Sequence, residues 1–229
     1  MLIKGLQKTT LLDFPGKVAC TVFTGGCNFR CPFCHNGSLV LRPNDVDSIN
    51  EEEIFSYLKK RKGILDGVCI TGGEPLLNKD IVEFIRKIKE IGLLVKLDTN
   101  GSYPQVLSTL IEERLVDYVA MDIKNSLEKY ALTIGLDEYP EEIKESIRII
   151  MSGKIPYEFR TTVVRELHTS EDIEHIAREI CGAENYFLQC FKDSGDLIGS
   201  GYSAYSEEEM KAMLDIVIKW VPNARLRGV

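Results

Sequence analysis

The sequence lacks the features that would direct this protein to a membrane or out of the cell. No apolar run approaches the roughly 20 residues that a helix needs to cross a bilayer. No N-terminal stretch combines a charged start, an apolar centre and a small-residue cleavage site, as a signal peptide does. We therefore expect a cytoplasmic protein with no membrane partner.

An excess of basic residues is also absent. Asp and Glu number 35 against 28 Lys and Arg, which gives a formal net charge of −7. A nucleic-acid-binding protein normally presents a basic face, so we expect no nucleic-acid partner. The chain has no low-complexity segment or linker, and 44% of its residues are hydrophobic. We therefore expect residues 1–229 to form a single domain with a sizeable core.

What the sequence does contain is a concentration of cysteine. Three of its seven cysteines, Cys27, Cys31 and Cys34, lie within eight residues, just after an apolar run at 18–23 and a Gly-Gly turn. Three thiolates on one loop can ligate three irons of a 4Fe–4S cluster, because soft sulfur ligands suit iron–sulfur centres. No second C-x-x-C lies nearby, so the fourth iron would have an open site that can bind a small molecule and pass it an electron.

The same spacing also permits a structural zinc site, which needs four ligands in a tetrahedron. His35 directly follows Cys34 and is too close to serve easily as the fourth ligand. Cysteine spacing alone therefore leaves both an iron–sulfur and a zinc interpretation open.

Short apolar runs alternate with amphipathic stretches along most of the chain. Strands are predicted at 18–24, 67–71, 93–97, 118–121, 157–164 and 186–189. Helices are predicted at about 50–61, 80–90, 103–113, 141–150, 170–180 and 206–220. Six such units imply a parallel sheet and are fewer than the eight of a closed barrel, which leaves an open partial barrel or a doubly wound sheet. Residues 1–17 show no strong periodicity, and 38–50 reads as a polar connection.

Polar motifs follow successive predicted strands, at the edge where parallel folds gather their ligands. Gly72 and Gly73 allow a ligand to approach the backbone closely, and the carboxylate of Glu74 can pair with an ammonium group. Asp98 and Thr99 begin an Asp-Thr-Asn-Gly segment that can bind ribose hydroxyls or a cation.

The later strands carry charges as well. Asp122 and Lys124 place an acid and a base two residues apart, and Arg160 lies inside a strand, where a charge is expected to have an ion-pair partner or a ligand. Gln189 and Cys190 close the last strand. Each motif alone is compatible with an ordinary turn, but their joint placement beside the cysteine loop favours a binding site.

The pattern C-x-x-x-C-x-aromatic-C, completed by Phe33 and followed by Gly-Gly-Glu-Pro at 72–75, resembles the radical S-adenosylmethionine superfamily. Within it, residues 8–36 resemble the activating proteins of anaerobic ribonucleoside-triphosphate reductases. The Asp-Thr-Asn-Gly and Asp-Ile-Lys segments also resemble pyruvate formate-lyase activating enzymes. The likeness covers nearly the whole chain and is strongest before residue 125. It implies a partial (β/α)6 barrel of the TIM type, with the cluster loop at 25–36 and a C-terminal helix and tail at about 206–229.

The resemblance also implies roles for the matching residues. Cys27, Cys31 and Cys34 would ligate the 4Fe–4S cluster, and S-adenosylmethionine would bind its open iron. The expected cofactor-binding residues are Phe33, Asn36, Gly72, Gly73, Glu74, Asp98, Thr99, Asp122, Lys124 and Gln189. Among them, Gly72, Gly73 and Glu74 would contact the methionyl amino end of the cofactor. Gln189 stands near a position where formate-lyase activating enzymes have a His beside the adenine.

A monovalent cation is a further implied cofactor, which Asp98, Thr99 and Asp122 would hold near the methionyl carboxylate. Lys124 and Arg160 match residues of the same site, and we expect them to act with the three cluster cysteines as the catalytic residues.

The implied activity is reductive cleavage of S-adenosylmethionine to a 5′-deoxyadenosyl radical, which removes hydrogen from a glycine of a partner protein. The expected partner is anaerobic ribonucleoside-triphosphate reductase, with a flavodoxin or ferredoxin as electron donor. The alternatives are activation of pyruvate formate-lyase, radical chemistry on a small molecule as in deazaguanine synthases, and a non-catalytic zinc module. A wide lateral mouth would favour a protein substrate, and a closed pocket with convergent polar groups would favour a small molecule.

The other cysteines and histidines receive no role. Cys20 and Cys69 are expected in the core, and Cys181 and Cys190 are expected to be buried or idle thiols. His168 is expected in a surface loop.

Overall fold

The computed structural model describes residues 1–138 and 141–229. Its strands form one eight-stranded sheet whose spatial order follows the chain. The strands are β1 (Ile3–Thr10), β2 (Ala19–Thr24), β3 (Gly67–Gly72), β4 (Leu94–Thr99), β5 (Tyr118–Asp122), β6 (Tyr157–Val163), β7 (Tyr186–Cys190) and β8 (Arg225–Arg227).

Strands β2 to β8 run parallel to one another, and only the first strand of this sheet, β1, is antiparallel to its neighbour. Arg160 of β6 reaches Asp98 of β4 across the intervening β5, and Thr71 of β3 and Gln189 of β7 line one cavity, which requires the sheet to curl. Among the described strands, β1 and β8 lie at the two edges and are not paired with each other, so the curled sheet stays open on one side. The open partial barrel is therefore the correct choice between the two predicted architectures.

Helices connect the parallel strands. They are α1 (Gly37–Leu41), α2 (Glu51–Lys60), α3 (Ile81–Ile91), α4 (Pro104–Glu112), α5 (Leu127–Ile134), α6 (Glu142–Met151), α7 (Ser170–Glu179) and α8 (Glu207–Val217). The six predicted βα units correspond to β2–α2, β3–α3, β4–α4, β5–α6, β6–α7 and β7–α8, so the predicted alternation is confirmed.

Local sequence accounts for where these helices begin and end. Thr169 and Ser206 cap α7 and α8, each in a capping box with the acidic residue three positions later. Helix α3 ends at Gly92, whose φ of 94° lies in the left-handed region that glycine adopts without strain. One face of α3, including Phe84 and Ile88, is fully buried in the core between helices and sheet.

Four elements differ from the sequence prediction: β1, α1, α5 and β8 were not expected. Strand β1 has an irregular polar and apolar pattern because it is an edge strand, and its register with β2 is interrupted twice. The α1 helix has only five residues and β8 has three. Elements this short depend on tertiary contacts rather than on their own periodicity. Over the part of the chain described here, no helix has the length and apolar character needed to cross a membrane.

Candidate active site

A cavity of about 240 Å³ opens at the carboxyl ends of the parallel strands. Its lining includes all but one of the site residues that the sequence predicts: Cys27, Cys31, Phe33, Cys34, Asn36, Gly72, Gly73, Asp98, Thr99, Asp122, Lys124, Arg160 and Gln189. The exception is Glu74. Phe29 and Asn100 also line the cavity and were not predicted.

The cysteine loop and the Gly-Gly-Glu-Pro loop meet backbone to backbone. The amide of Glu74 donates to the carbonyl of Gly26 at 2.8 Å, and the side chain of Asn36 donates to the carbonyl of Gly72 at 2.8 Å. A Cβ added to Gly73 would lie 1.8 Å from the oxygen of Gly26. Glycine is therefore required at 73 because a side chain there would push the two loops apart.

One side of the cavity, which we call the thiol wall, consists of Cys27, Cys31 and Cys34. Burial raises the pKa of the Cys31 thiol to about 12, although the nearby charge of Lys124 opposes the shift. Burial, with the charge of Glu74, raises the pKa of Cys27 to about 11, and burial also raises the pKa of Cys34. These groups are therefore thiols at neutral pH until a metal displaces their protons.

The thiol wall fits a 4Fe–4S cluster. Its ligand atoms are three soft sulfurs on one loop, which is the donor set that iron–sulfur clusters take. Two N–H donors point at the Sγ of Cys27, from the amide of Phe29 at 3.4 Å and the side chain of Asn100 at 3.7 Å. Such donors stabilise a metal-bound thiolate. No group of three His, Cys, Asp or Glu side chains in the described residues is arranged to hold a single metal ion. A cubane has a different requirement, because each thiolate binds a separate iron.

A second group of residues, which we call the charged wall, consists of Asp98, Asp122, Lys124 and Arg160, which line the cavity, and of Lys96, which is buried outside the lining and pairs with Asp98. The guanidinium of Arg160 donates from Nε to Asp122 at 2.8 Å and from Nη1 to Asp98 at 3.0 Å. The ammonium of Lys124 donates to the second oxygen of Asp122 at 3.0 Å. Burial opposes ionisation of Asp122, but the charges of Arg160 and Lys124 outweigh it and hold the pKa of this carboxyl well below its usual range.

Lys96 is the member of the charged wall that sequence reasoning missed. Its side chain is 2% exposed, and its ammonium forms an ion pair with Asp98. The Sγ of Cys69 lies 3.9 Å from the same ammonium, which also stands over the ring of Tyr118 at 6.0 Å. A signal was present in the sequence, since Lys96 interrupts an apolar strand two residues before Asp98 and must face the same side of the sheet.

Glu74 does not reach the cavity where it was expected. Its residue is fully buried, and its carboxylate accepts hydrogen bonds from the amide of Asn100 at 2.7 Å, the hydroxyl of Thr99 at 2.8 Å and the amide of Leu76 at 3.0 Å. Burial raises the pKa of Glu74 to about 7, although these hydrogen bonds lower it. In this arrangement Glu74 fastens the Gly-Gly-Glu-Pro loop to the Asp-Thr-Asn-Gly loop.

The expectation that His168 lies on the surface is wrong. The residue is fully buried, and its Nε2 lies 2.8 Å from the carbonyl oxygen of Lys124 while its Nδ1 accepts from the amide of Val164 at 3.1 Å. His168 therefore supports the backbone of the charged wall at Lys124. Of the remaining cysteines, Cys20 and Cys69 are buried as expected, Cys181 is exposed and Cys190 is partly buried.

The segment 191–205, which follows β7 and has no helix or strand, packs across the cysteine loop. The Asp196 carboxylate accepts from the amide and the hydroxyl of Ser38, and its carbonyl accepts from the amide of Gly37. Asp196 thus caps α1 from 158 residues away along the chain. The amide of Gly199 donates to the carbonyl of Pro32 at 2.7 Å, so the segment holds the cysteine loop at a second point.

Comparison with known proteins identifies the family to which this chain belongs. The sequence profile of the Radical SAM superfamily matches residues 21–180, which is more than two thirds of the chain. The protein therefore belongs to the radical SAM superfamily and is an enzyme of that type. Membership implies a 4Fe–4S cluster and S-adenosylmethionine as cofactors.

Three individual proteins illustrate the likeness. A Methanocaldococcus jannaschii protein named as a glycyl-radical enzyme activating enzyme is 35% identical over 235 residues, covering 100% of this chain and 96% of its own. A Methanothermobacter marburgensis protein named as a GTP 3′,8-cyclase is 28% identical over 173 residues, covering 72% of this chain but 54% of its own. The solved domain of a pyruvate-formate lyase-activating enzyme from Bacteroides vulgatus superimposes with a TM-score of 0.57 at 20% identity, covering 71% of this chain and 99% of that domain. The last likeness shows the fold.

Proposed function

We propose that this protein activates a glycyl-radical enzyme. The observation that carries the proposal is the end-to-end match to the M. jannaschii protein named as such an activating enzyme, which leaves almost no part of either chain unmatched. The open side of the barrel supports it, because a glycine on a protein loop needs lateral access to the cavity. We further propose that residues 1–229 act as a single radical SAM domain in the cytoplasm, since all eight described strands share one sheet.

In this proposal the thiol wall holds the 4Fe–4S cluster through Cys27, Cys31 and Cys34. When bound there, the cluster would supply the electron for cleavage of S-adenosylmethionine to methionine and a 5′-deoxyadenosyl radical, which would take a hydrogen atom from the partner's glycine. Phe29 and Phe33, both nearly fully buried, exclude water beside the cysteines. The protein's own task is to bind, orient and protect these groups.

The charged wall and the two glycine-containing loops would bind S-adenosylmethionine. Lys124 and Arg160 offer cationic donors to the methionyl carboxylate, while the backbone of Gly72 and Gly73 lines the route to its amino group. Phe33 and Asn36 would lie beside the bound cofactor, and Gln189, which lines the cavity near the end of β7, is our candidate for the adenine contact.

Thr99 and Glu74 act in this scheme mainly by holding the loops together. The Thr99 hydroxyl donates to Glu74 at 2.8 Å and accepts from the amide of Gly101 at 3.1 Å. We therefore assign Glu74 a positioning role and place the methionyl amino contact on the glycine backbone.

The specific partner that we propose is anaerobic ribonucleoside-triphosphate reductase, because residues 8–36 resemble its activating proteins. Pyruvate formate-lyase is the alternative partner, since the Asp98 and Asp122 segments resemble its activating enzyme. A flavodoxin or ferredoxin is the proposed electron donor.

A radical reaction on a small molecule is the second candidate function, and the match to a GTP 3′,8-cyclase is the observation that favours it. That match spans about half of the cyclase, whereas the match to the activating enzyme spans nearly all of both chains. The protein-substrate proposal is therefore preferred.

Electron paramagnetic resonance tests the proposal directly. The protein is reconstituted anaerobically with iron and sulfide, reduced, and mixed with S-adenosylmethionine and either the host's anaerobic ribonucleotide reductase or pyruvate formate-lyase. We expect a glycyl-radical doublet on the reductase that is absent with the Cys31→Ala variant. A doublet only on the formate-lyase would show that pyruvate formate-lyase, and not the reductase, is the partner. Cofactor cleavage with no doublet on either enzyme would contradict the activase proposal.

A further inference from the structure

The resemblance to formate-lyase activating enzymes implies a monovalent cation held by Asp98, Thr99 and Asp122, and the oxygen atoms of these residues do not fit such an ion. Both oxygens of Asp98 are engaged, one by the Lys96 ammonium and one by Arg160. Both oxygens of Asp122 are engaged by Arg160 and Lys124. The hydroxyl of Thr99 is also committed, to Glu74 and to the amide of Gly101.

The charge balance points the same way. The charged wall contains three cations, Lys96, Lys124 and Arg160, facing two carboxylates, so it has a net charge of +1. The neighbouring Glu158 lies 3.9 Å from Arg160 and also pairs with Arg227 at 3.1 Å, so this additional acid and base together leave the balance unchanged. An added metal cation would increase the positive excess, whereas an anionic carboxylate would neutralise it.

Lys96 is placed to be a permanent part of this wall. Its side chain is 2% exposed and enclosed by Cys69 and Tyr118, so its ammonium cannot leave Asp98 for solvent. Burial opposes the ionisation of Asp98, but the charges of Arg160 and Lys96 outweigh it and lower the pKa of the carboxyl. An exchangeable ion at the same carboxylate would have to compete with a cation that is attached to the chain.

We propose that the Lys96 ammonium is a built-in counterion that replaces the monovalent cation, holding Asp98 and, through it, Arg160 in position for the methionyl carboxylate of S-adenosylmethionine. Lys96 is thus a positioning residue that makes cofactor binding independent of potassium or sodium. The inference rests on the proposed binding of S-adenosylmethionine in this cavity, but it does not depend on which partner is activated.

The test compares cofactor affinity in potassium chloride and in choline chloride at equal ionic strength, so that screening is the same. For the reconstituted wild type we expect affinity and cleavage rate to agree within about twofold between the two salts. For Lys96→Met we expect affinity to fall by on the order of tenfold to a hundredfold in choline, because Asp98 loses a buried partner, and to recover largely in potassium. Lys96→Arg should remain independent of potassium, because it keeps the charge.

Lys89→Met provides a matched control. Lys89 also pairs with an aspartate, Asp117, at 2.6 Å, but it does so on helix α3, away from the cavity. Its replacement should leave cofactor affinity the same in both salts.

A second readout uses the protein without cluster or cofactor. Potassium should raise the melting temperature of Lys96→Met, because an ion that binds the folded state stabilises it, and should not raise that of the wild type. A wild type that loses about tenfold or more in affinity without potassium would overturn the proposal, whatever the variants do. A folded Lys96→Met that potassium neither rescues nor stabilises would overturn it as well. Both assays omit the partner protein, so a failure of the activase proposal would appear separately, as a missing glycyl radical.

Discussion

The thiol wall and the charged wall of the cavity differ in how their side chains become ionised. On the thiol wall, burial raises the pKa of every cysteine, so the ligands are protonated until iron arrives. On the charged wall, burial is offset by ion pairs that the chain itself supplies, so Asp98 and Asp122 are ionised in the protein alone.

This difference means that the thiol wall depends on bound metal, whereas the charged wall does not. The thiol wall is incomplete without metal, and its stability should depend on the cluster. The charged wall is assembled before the cofactor binds, which reduces the reorganisation that binding requires. Changes on the two walls should therefore affect different measurements.

The largest effect is expected from Cys31→Ala. Removing one of three thiolates should abolish stable cluster assembly and reduce S-adenosylmethionine cleavage by more than about a hundredfold. Iron content and the rise in melting temperature on reconstitution measure this loss. Cys181→Ala, at an exposed thiol, is the matched control and should keep both. A Cys31→Ala protein that retains wild-type iron and activity would contradict the role of the thiol wall.

Arg160→Met should disrupt the charged wall next most strongly. It removes the partner that Asp98 and Asp122 share but leaves each its lysine, so the lost charged hydrogen bonds should cost about 1–3 kcal/mol in the free energy of unfolding. Urea denaturation of the metal-free protein measures this cost. Arg165→Met removes an exposed pair with Glu209 and should have a much smaller effect. Equal losses in the two variants would show that the charged wall is not preassembled.

Glu74→Gln tests how Glu74 links the Gly-Gly-Glu-Pro loop to the Asp-Thr-Asn-Gly loop, through the pH dependence of the free energy of unfolding. The folded pKa of Glu74, about 7, lies above its usual value of 4.5, so its contribution to stability is full below pH 4.5 and is lost as the pH rises through 7. Between pH 5 and 8 the free energy of unfolding of the wild type should fall by about 1–3 kcal/mol more than that of Glu74→Gln does.

The measurement is the free energy of unfolding across that pH range, with Glu52→Gln at an exposed position as the control. Parallel pH profiles for the wild type and Glu74→Gln would mean that folding does not raise the pKa of Glu74.

The smallest effect is expected from Asp196→Ala. Loss of the cap on α1 should cost about 1 kcal/mol in the free energy of unfolding and loosen the cysteine loop that follows β2. Faster loss of iron from the reconstituted protein in the presence of a chelator would report the loosening. Asp193→Ala, on the same segment and hydrogen-bonded there to the amide of Gly195, should release iron at the wild-type rate. Identical rates of iron release from both variants would contradict the proposal that Asp196 stabilises the cysteine loop.

Much of this architecture follows from local sequence. The six βα units were predictable because their strands and helices have their own apolar periodicity. The cysteine and Gly-Gly-Glu-Pro loops were predictable because their residues are close in sequence. Lys96 was missed because its role depends on Arg160 and Asp98 meeting across a curled sheet. Asp196 was missed because it caps a helix 158 residues away. The orientation of Glu74 was missed because its partners lie on another loop.

The measurement that tests the central claim most directly needs no partner protein. The reconstituted, reduced protein is incubated with S-adenosylmethionine, and 5′-deoxyadenosine and methionine are quantified for the wild type and Cys31→Ala. We predict equal amounts of the two products from the wild type and none from the variant. No product from wild-type protein that carries its full complement of iron and sulfide, or equal product from the variant, would contradict the account.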